Sequence, residues 1–309
     1  MGVQFFKRPV VAGADSTTHL TGAGFPASGT AGAGVGIAGL GSTYFDTTRN
    51  TLWVNEGNSY SPYWSPVSVQ QQGLWGVYED FRGLPGTALS DTAAENILAS
   101  GLRVFGQGLA ETDAGGISNT PGEGGPTFRI TTTDEAAHLV ALGTDAGVYQ
   151  PDQHGMALID VDVTNVSAIT LRGMGVGFVG TAADALDPPI TCATTVATLV
   201  QDDLALMHFN VDYTDVDRWY VAHNKSDAAA SMTVLDTSVD VAAAATYQRL
   251  RVEIGDDGAM RSFINKTLVR TVSAALDVDE EASPVFYLES TSAAVKSADV
   301  RRFMFVAGR

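Results

Sequence analysis

Three clusters of carboxylates are the residues whose types and spacing could do chemistry. They are Asp160-Val161-Asp162, Asp212-Tyr213-Thr214-Asp215-Val216-Asp217 and Asp277-Val278-Asp279-Glu280-Glu281. Two acids that flank a sugar can cleave a glycosidic bond. Asp160 and Asp162 alternate with valine, so they share one face of a strand, and we expect that face to be solvated. Residues 277–281 read as a turn.

Calcium is the metal that one cluster could hold. Asp212, Asp215 and Asp217 are close in sequence, and Ca²⁺ prefers carboxylate and carbonyl oxygens. The sequence contains no EF-hand pattern, and no two of its five histidines have the spacing H-x-x-x-H. We therefore predict no cofactor, with calcium as the alternative.

Nucleophilic chemistry has little support in the sequence. Cys192 is the single cysteine, which excludes an intramolecular disulfide, and we expect it to be a small buried hydrophobe. The sequence has no G-x-S-x-G elbow, no P-loop and no C-x-x-C pair. Nothing indicates a Ser-His-Asp set. We predict that the chain is not an enzyme.

The charge balance excludes several classes of partner. The chain of 309 residues has 18 Lys and Arg against 35 Asp and Glu, a formal net charge of −17. Such a chain will not seek nucleic acid or an anionic membrane surface. No signal peptide and no long apolar span are recognisable, so we expect synthesis in a cytoplasm.

A β-hairpin and the aromatic residues around it are the clearest elements near the N-terminus. Residues 43–46 and 51–55 are rich in β-branched and aromatic residues, and Asn50 suits the reversal between them. A glycine-rich segment, residues 1–41, precedes this hairpin. Two strands alone are marginal in water, so the hairpin must pack on something else, which could be another chain. Tyr60, Tyr63 and Trp64 follow between prolines.

Short strands with turn punctuation fill the chain from residue 70 onward, which predicts an all-β sandwich. The clearest strand has apolar Leu250, Val252 and Ile254 alternating with charged Arg249, Arg251 and Glu253. This period of two predicts one face on a core and the other in water. Asp256-Asp257-Gly258 predicts the turn that follows. The best helix candidate, residues 90–102, amounts to one or two turns.

Residues 245–309 resemble the second half of laminin-G or concanavalin-A-like jelly rolls. The resemblance rests on the alternating strand, the Asp-Gly turn and Phe263-Ile264-Asn265-Lys266, where the family has "YING" or similar. Lys266 stands where the family usually has glycine. The resemblance implies that an edge strand follows and that the final strand, in "VRRFMFV", returns to the middle of the sheet. Glu-x-Asp-x-x-Glu, the signature of jelly-roll glycosidases, is absent.

Residues 22–67 resemble a cassette found in virion proteins of tailed bacteriophages. The cassette has the form Gly-Ser-Leu-Tyr-x-Asp-Thr-x-x-Gly-x-Leu-Tyr-x-Asn-x-Gly, followed by Trp-x-x-Val. The matching residues are Gly41, Ser42, Tyr44, Asp46, Thr47, Leu52, Asn55, Gly57, Trp64 and Val67. The resemblance implies a virion structural protein of the head-decoration or head-fibre type. It also implies a homotrimer.

Together these patterns predict two domains in an all-β chain: residues 1–72 as an extended arm and hairpin, and residues 73–309 as a concanavalin-like jelly-roll β-sandwich. We expect the first to bind the major capsid protein on the outer capsid surface and the second to face outward. The expected anchors are Tyr44, Trp53, Tyr60, Tyr63 and Trp64, whose aromatic rings offer large rigid contacts. Alternatively, these side chains close a small local core beneath the hairpin.

Two other functions stay open. A tail-fibre or receptor-binding protein would use the jelly roll to bind host surface glycan, and exposed aromatic residues on the concave sheet would favour it. Trp219-Tyr220 is the obvious aromatic pair there, although it would serve equally well in a core. A polysaccharide depolymerase is the third alternative.

Overall fold

The computed structural model describes residues 4–6, 16–69, 71, 73–81, 95–98, 100–106, 116–122, 125–132, 136, 138–144, 148–166, 172–180, 189–193, 196–199, 203–213, 215–225 and 231–309. Five strands in the N-terminal part form one sheet, here called the N-terminal sheet: β1 (Gln4–Phe6), β2 (His19–Gly22), β3 (Thr43–Asp46), β4 (Thr51–Asn55) and β5 (Trp64–Pro66). Their order is β1-β2-β3-β4-β5, with β2 and β3 parallel and the other neighbours antiparallel.

Strands are also the main elements of the rest of the described chain, which contains one short helix. Its elements are β6 (Leu74–Glu79), β7 (Glu95–Ile97), β8 (Arg103–Phe105), β9 (Gly116–Gly122), β10 (Gly125–Thr131), β11 (His138–Gly143), the short helix α1 (Pro151–His154), β12 (Ala157–Asn165), β13 (Arg172–Val179), β14 (Ile190–Ala193), β15 (Val196–Leu199), β16 (Leu204–Asn210), β17 (Arg218–Asn224), β18 (Ser231–Asp240), β19 (Gln248–Ile254), β20 (Met260–Ile264), β21 (Thr267–Val272), β22 (Ser283–Ser290) and β23 (Ser297–Gly308). The predicted all-β class is confirmed.

These strands form two further sheets that pack face to face. The middle sheet has eight strands in the order β21-β20-β19-β12-β23-β10-β9, with β6 pairing with the second half of β23. The outer sheet has ten strands in the order β14-β15-β18-β17-β16-β13-β22-β11-β8-β7. As the resemblance implied, β21 lies at an edge and the final strand, β23, lies inside its sheet. The fold is a β-sandwich of the jelly-roll type.

Alternation along the strands builds the layers. In β12, Ile159 and Val161 enter the core between the middle and outer sheets, whereas Leu158 joins a second core between the middle and N-terminal sheets. This second core contains Trp53 and Trp64. The molecule is therefore a stack of three sheets, because the middle sheet buries apolar residues on both faces.

The predicted turns are confirmed by backbone angles that need left-handed residues. Asn50, between β3 and β4, has a φ of 54°, and Gly258, between β19 and β20, has a φ of 72°. Asn265 and Lys266 both have positive φ, at 50° and 69°, in the turn between β20 and β21. Lys266 therefore occupies a position that favours glycine.

Two sequence-based expectations about local structure are wrong. The best helix candidate, residues 90–102, contains strand β7, because Glu95–Ile97 pairs with Arg103–Phe105 at the edge of the outer sheet. Residues 90–94 and 99 lie outside the described residues. The glycine-rich segment does not extend away from the hairpin where it is described: Gly29 N donates to Pro62 O at 2.8 Å and Gly36 N to Ser59 O at 2.7 Å. Among the described residues, no helix has the length and hydropathy needed to cross a membrane.

Candidate functional site

The five predicted anchors do not share one environment. The rings of Tyr44, Trp53, Tyr63 and Trp64 are at most 5 % exposed and lie between the N-terminal and middle sheets. Tyr60 is 71 % exposed. The four buried rings therefore close a core within this chain, which was the alternative to a role as anchors. Of the five predicted anchors, only Tyr60 offers its ring to a partner.

Polar contacts around Asp160 join the N-terminal sheet to the middle sheet. The Asp160 carboxylate is fully buried. It accepts hydrogen bonds from Tyr63 Oη at 2.8 Å, Arg251 Nε at 2.8 Å and Arg249 Nη2 at 2.9 Å, and a further one from Arg302 Nη2. Burial alone raises the pKa of a carboxyl group, but the guanidinium groups of Arg251, Arg302 and Arg249 hold the pKa of Asp160 well below its usual range.

Arg251 contributes the other half of this junction. Its Nη1 donates to Trp64 O at 2.6 Å and its Nη2 to Ser65 Oγ at 2.7 Å, so it bonds the backbone and a side chain of β5. Its guanidinium carbon also lies 3.7 Å from the centre of the Tyr63 ring. Stacking and charge-assisted hydrogen bonds together fix the N-terminal sheet in register on β19.

The expectation that these charged faces lie in water is wrong. Asp160, Arg251 and Glu253 are fully buried, because the N-terminal sheet covers that face of the middle sheet. Asp162, farther along β12, is mostly buried and pairs with Arg301 at 2.6 Å. The alternation correctly identified which side chains share a face, but it did not indicate that a third sheet covers it.

An apolar patch lies on the outward side of the N-terminal sheet. Phe45 and Leu52 are cross-strand partners in β3 and β4 and are 37 % and 38 % exposed. Val67, whose N–H donates to Leu52 O at 3.0 Å, is 58 % exposed. Seven of the ten exposed large hydrophobic side chains of the described chain belong to this N-terminal part: Val35, Ile37, Leu40, Phe45, Leu52, Tyr60 and Val67. We call Phe45, Leu52 and Val67 the apolar patch.

We call the face of the outer sheet that points away from the middle sheet the far face. Glycines of β13 lie beneath the side chains on this face. Gly173 and Gly175 of β13 pair in register with Glu289 and Tyr287 of β22. A Cβ on Gly175 would lie 2.3 Å from the Tyr287 ring, and one on Gly173 would lie 2.7 Å from Glu289 Oε2. Because these glycines have no side chains, the side chains of Glu289 and Tyr287 can lie across β13. The pattern G-x-G-x-G at 173–177 indicates this row of glycines, and the sequence analysis did not recognise it.

Glu289 is a carboxyl group without a basic partner among the described residues. It is 7 % exposed, and its one hydrogen bond there is a long contact of 3.5 Å from Asn210 Nδ2. Burial, with a smaller contribution from the negative charge of Asp212, raises the pKa of Glu289 to about 8. The group is therefore largely protonated at neutral pH, which is the state required of a general acid or a hydrogen-bond donor to a ligand.

A chain of neutral polar groups continues across the far face. Tyr213 Oη lies 3.3 Å from His208 Nε2, and Cys192 lies in the same buried cluster as Tyr213. Burial lowers the pKa of His208 to about 3 and raises that of the Cys192 thiol to about 12. The ring of Tyr220 lies 4.6 Å from that of Tyr213. Cys192 is buried as predicted, and its protonated thiol is a poor nucleophile.

The side chains of Trp219 and Tyr220 lie on opposite faces of β17, as the alternation of side chains along a strand requires. Trp219 enters the core of the sandwich, and Tyr220 reaches the far face. In the proposed calcium cluster, Asp215 lies 3.4 Å from Arg218. In the part of the chain that the structure describes, no three His, Cys, Asp or Glu residues are grouped to hold a metal ion.

Comparison with known proteins finds similar solved structures but no family. No family model matches the chain, and no curated protein matches it. Similar solved structures include a protein of unknown function from Shewanella oneidensis MR-1, at 10 % identity and a TM-score of 0.47, over 78 % of this chain and 89 % of the other. A β-glucanase from Bacillus licheniformis matches at 12 % identity and a TM-score of 0.42, over 74 % of this chain and 97 % of the other.

A third similar structure is that of a carbohydrate esterase from the Shiga toxin-encoding bacteriophage phi24B. It has 11 % identity and a TM-score of 0.43, over 72 % of this chain and 97 % of the other. These likenesses concern the fold alone. Because the similar structures include a glucanase and an esterase, the expectation that the chain is not an enzyme does not stand.

Proposed function

We propose that this chain is a surface protein of a tailed-bacteriophage virion that attaches to the capsid through its N-terminal sheet and carries its jelly roll outward. The observation that carries the proposal is the concentration of exposed apolar side chains on the N-terminal part, where the cassette resemblance also lies. Clustered exposed apolar residues mark interaction surfaces. The major capsid protein is the proposed partner, and a homotrimer on the capsid lattice is the proposed assembly.

The role of the aromatic residues changes from the sequence-based expectation. Trp53 and Trp64 stabilise the N-terminal sheet from within, where Trp53 Nε1 donates to Thr51 Oγ1 at 2.9 Å and Trp64 Nε1 to Ala33 O at 3.0 Å. The sheet therefore needs no core from another protein. Contact with the capsid would come through the apolar patch and Tyr60, on a platform that is already folded.

The order of the sheets supports separate roles for the two ends of the stack. The apolar patch is on the outward side of the first layer, and the far face belongs to the third layer. A capsid bound at the patch would leave the side of the molecule that carries the outer sheet free of the capsid. The protein would thus act mechanically at one end of the stack, where apolar contacts hold capsomers together, and remain free to meet other molecules at the opposite end.

Attachment can be tested by co-sedimentation with isolated capsids that lack the protein. We expect the variant Phe45→Ser/Leu52→Ser/Val67→Ser to bind at least about tenfold more weakly than the wild type, because each exposed apolar side chain removed from an interface loses part of its burial. The matched control is Val216→Ser/Val295→Ser, which changes valines on the sandwich that are 43 % and 44 % exposed.

Two results would contradict the attachment proposal. One is unchanged co-sedimentation of the triple variant, with circular dichroism verifying that it is folded. The other is density for the protein on the tail rather than on the capsid lattice in cryo-microscopy of intact virions. That second result would support the tail-fibre alternative instead.

A second candidate function, recognition or cleavage of a host glycan, is favoured by the far face. Neutral hydroxyl, carboxyl and aromatic groups suit a sugar better than a charged surface does, and Glu289, Tyr287 and Tyr220 supply all three; Glu289 and Tyr287 are buried, so a glycan would first meet the half-buried Tyr220. The test incubates capsular polysaccharide with the wild type and with Glu289→Gln, measuring binding by calorimetry and reducing ends over time. Reducing ends that disappear in the variant would assign an acid role to Glu289. Binding without reducing ends would assign recognition, and absence of both would exclude this candidate for that polysaccharide.

A further inference from the structure

A cleft of about 540 Å³ opens where the N-terminal sheet meets the middle sheet. One wall follows the chain at the end of β5, with Ser65 and Ser68. The opposite side includes Tyr78 of β6 together with Arg302 and Met304 of β23. The cleft is separate from both the apolar centre of the junction and the far face of the outer sheet.

Arg302 is the unusual residue in this cleft. Three arginines share the Asp160 carboxylate, and two of them use every side-chain nitrogen: Arg249 on Asp160 and Glu56, and Arg251 on Asp160 and residues of β5 and β19. Arg302 donates only through Nη2, to Asp160. Its Nε is buried and has no partner within the described residues, so the 21 % exposed part of the side chain that a ligand could reach is the outer end of the guanidinium. Its guanidinium therefore retains unused hydrogen-bonding capacity beside the cleft.

The charges around Arg302 leave a local excess of positive charge. The lining of the cleft contains two cations, Arg249 and Arg302, and one carboxylate, Glu56, which is already paired with Arg249. The chain as a whole carries −17. A positive spot in a concave site of an acidic protein is a place where an oxyanion is attracted locally although the molecule repels it at long range.

The dimensions and walls of the cleft indicate what carries the anion. Small-molecule sites occupy about 300–1,000 Å³, so a bare ion would leave most of this cleft unfilled. Serine hydroxyls on one wall can bond hydroxyl groups, and the Tyr78 ring, 46 % exposed, offers a flat apolar face. We propose that the cleft binds an acidic saccharide, with its carboxylate on Arg302 and its ring against Tyr78.

Arg302 would recognise the carboxylate by charge-assisted hydrogen bonds. Because the walls belong to two different sheets, a bound saccharide would also bridge the N-terminal sheet and the sandwich. Ligand binding would therefore stabilise the junction itself. The cleft shares Val67 with the apolar patch, so saccharide binding is tested on the full chain in solution, where its outcome does not depend on capsid attachment.

The test is calorimetric titration and thermal unfolding of the full chain with glucuronate, glucose and inorganic phosphate as probes. We expect glucuronate to bind and to raise the melting temperature, with glucose and phosphate each at least about tenfold weaker, since each lacks one of the two recognised features. Arg302→Gln should weaken glucuronate binding at least about tenfold, the loss typical of one charge-assisted contact. Tyr78→Ala should also weaken it.

Arg301→Gln is the matched control. Arg301 is the preceding residue of β23 and pairs with Asp162, away from the cleft lining. Its variant should bind glucuronate as the wild type does. If Arg302→Gln does not fold, Arg302→Lys, which keeps the charge without the planar fork, should still lose affinity severalfold. The proposal is overturned if the wild type does not bind glucuronate, if phosphate or glucose binds equally well, or if the folded Arg302 variant binds as the wild type does.

Discussion

Tyr63 donates a hydrogen bond of 2.8 Å from its hydroxyl to Asp160 Oδ2, across 97 positions of sequence and between two sheets. Both side chains are fully buried. The bond places the polar end of a core aromatic residue on a carboxylate that three guanidinium groups also contact. This is why the N-terminal sheet sits on the sandwich in one register: the apolar core beside it supplies burial, and the polar cluster selects the position.

Removing the Asp160 charge should therefore be costly. We expect Asp160→Asn to lower the free energy of unfolding by about 3–5 kcal/mol, because it leaves buried guanidinium groups without their shared anion. Asp162→Asn is the matched control on the same strand. Its partner Arg301 is 44 % exposed, so we expect a loss of about 1 kcal/mol or less. Urea unfolding measures both, and equal losses would contradict a central role for Asp160.

Trp64 and Tyr60 distinguish a core residue from an exposed one within the same short segment. Trp64 is fully buried, so Trp64→Ala should cost about 3–5 kcal/mol in unfolding free energy. Tyr60 is exposed, and Tyr60→Ala should change stability by about 0.5 kcal/mol or less. Thermal and urea unfolding of the two variants provide the measurement. A stable Trp64→Ala protein would show that this ring does not support the N-terminal sheet.

The sequence predicted local structure better than the environment of each face. Residues with specific backbone needs, such as Asn50 and Gly258, correctly marked turns, because positive φ is a property of the single residue. The alternation around Leu250 correctly assigned that side chain to a core. What covers the opposite face depends on contacts between residues far apart in sequence. Arg251 and Glu253 were therefore expected in water and are buried.

The candidate sites were hidden for the same reason. Glu289 looks like an ordinary polar residue at the end of a strand, and its raised pKa comes from burial over the glycines of another strand. Arg302 is one of two adjacent arginines, and only the three-sheet stack distinguishes it from Arg301. Composition and spacing could not supply either fact. Four of the five predicted anchors are buried within this chain, because aromatic residues beside prolines suit a core as well as an interface.

Lys266 offers a substitution that should stabilise the protein. Its φ of 69° is a left-handed conformation that costs a side-chain-bearing residue about 1–2 kcal/mol. Its amine is 3.4 Å from Glu56 Oε2, and such an exposed pair contributes about 1 kcal/mol at most. Relief of strain should outweigh the lost pair, so Lys266→Gly should gain about 0.5 kcal/mol. Lys266→Ala, which loses the pair and keeps the strain, should be less stable than the wild type. The reverse order in urea unfolding would contradict this account.

The last prediction concerns the pH dependence that Glu289 gives the fold. Burial raises the pKa of Glu289 to about 8 from its ordinary 4.5, so between these values the folded state holds a proton that the unfolded state has released. The free energy of unfolding must then fall as pH rises from about 5 to 8, with a contribution of up to about 1.4 kcal/mol per pH unit, and the contribution levels off above pH 8. Glu289→Gln mimics the protonated acid at every pH and should lack this contribution.

The measurement is urea unfolding of the wild type and of Glu289→Gln at pH values from 5 to 9. The difference between the two proteins isolates Glu289, because all other groups titrate in both. We expect the variant to gain stability over the wild type steadily up to pH 8 and by a constant amount beyond it. Glu280→Gln, which changes an exposed carboxylate on the turn before β22, is the matched control and should follow the wild-type curve. Parallel curves for wild type and Glu289→Gln would mean that Glu289 is charged in the folded protein, and the acid role considered for it on the far face would have to be abandoned.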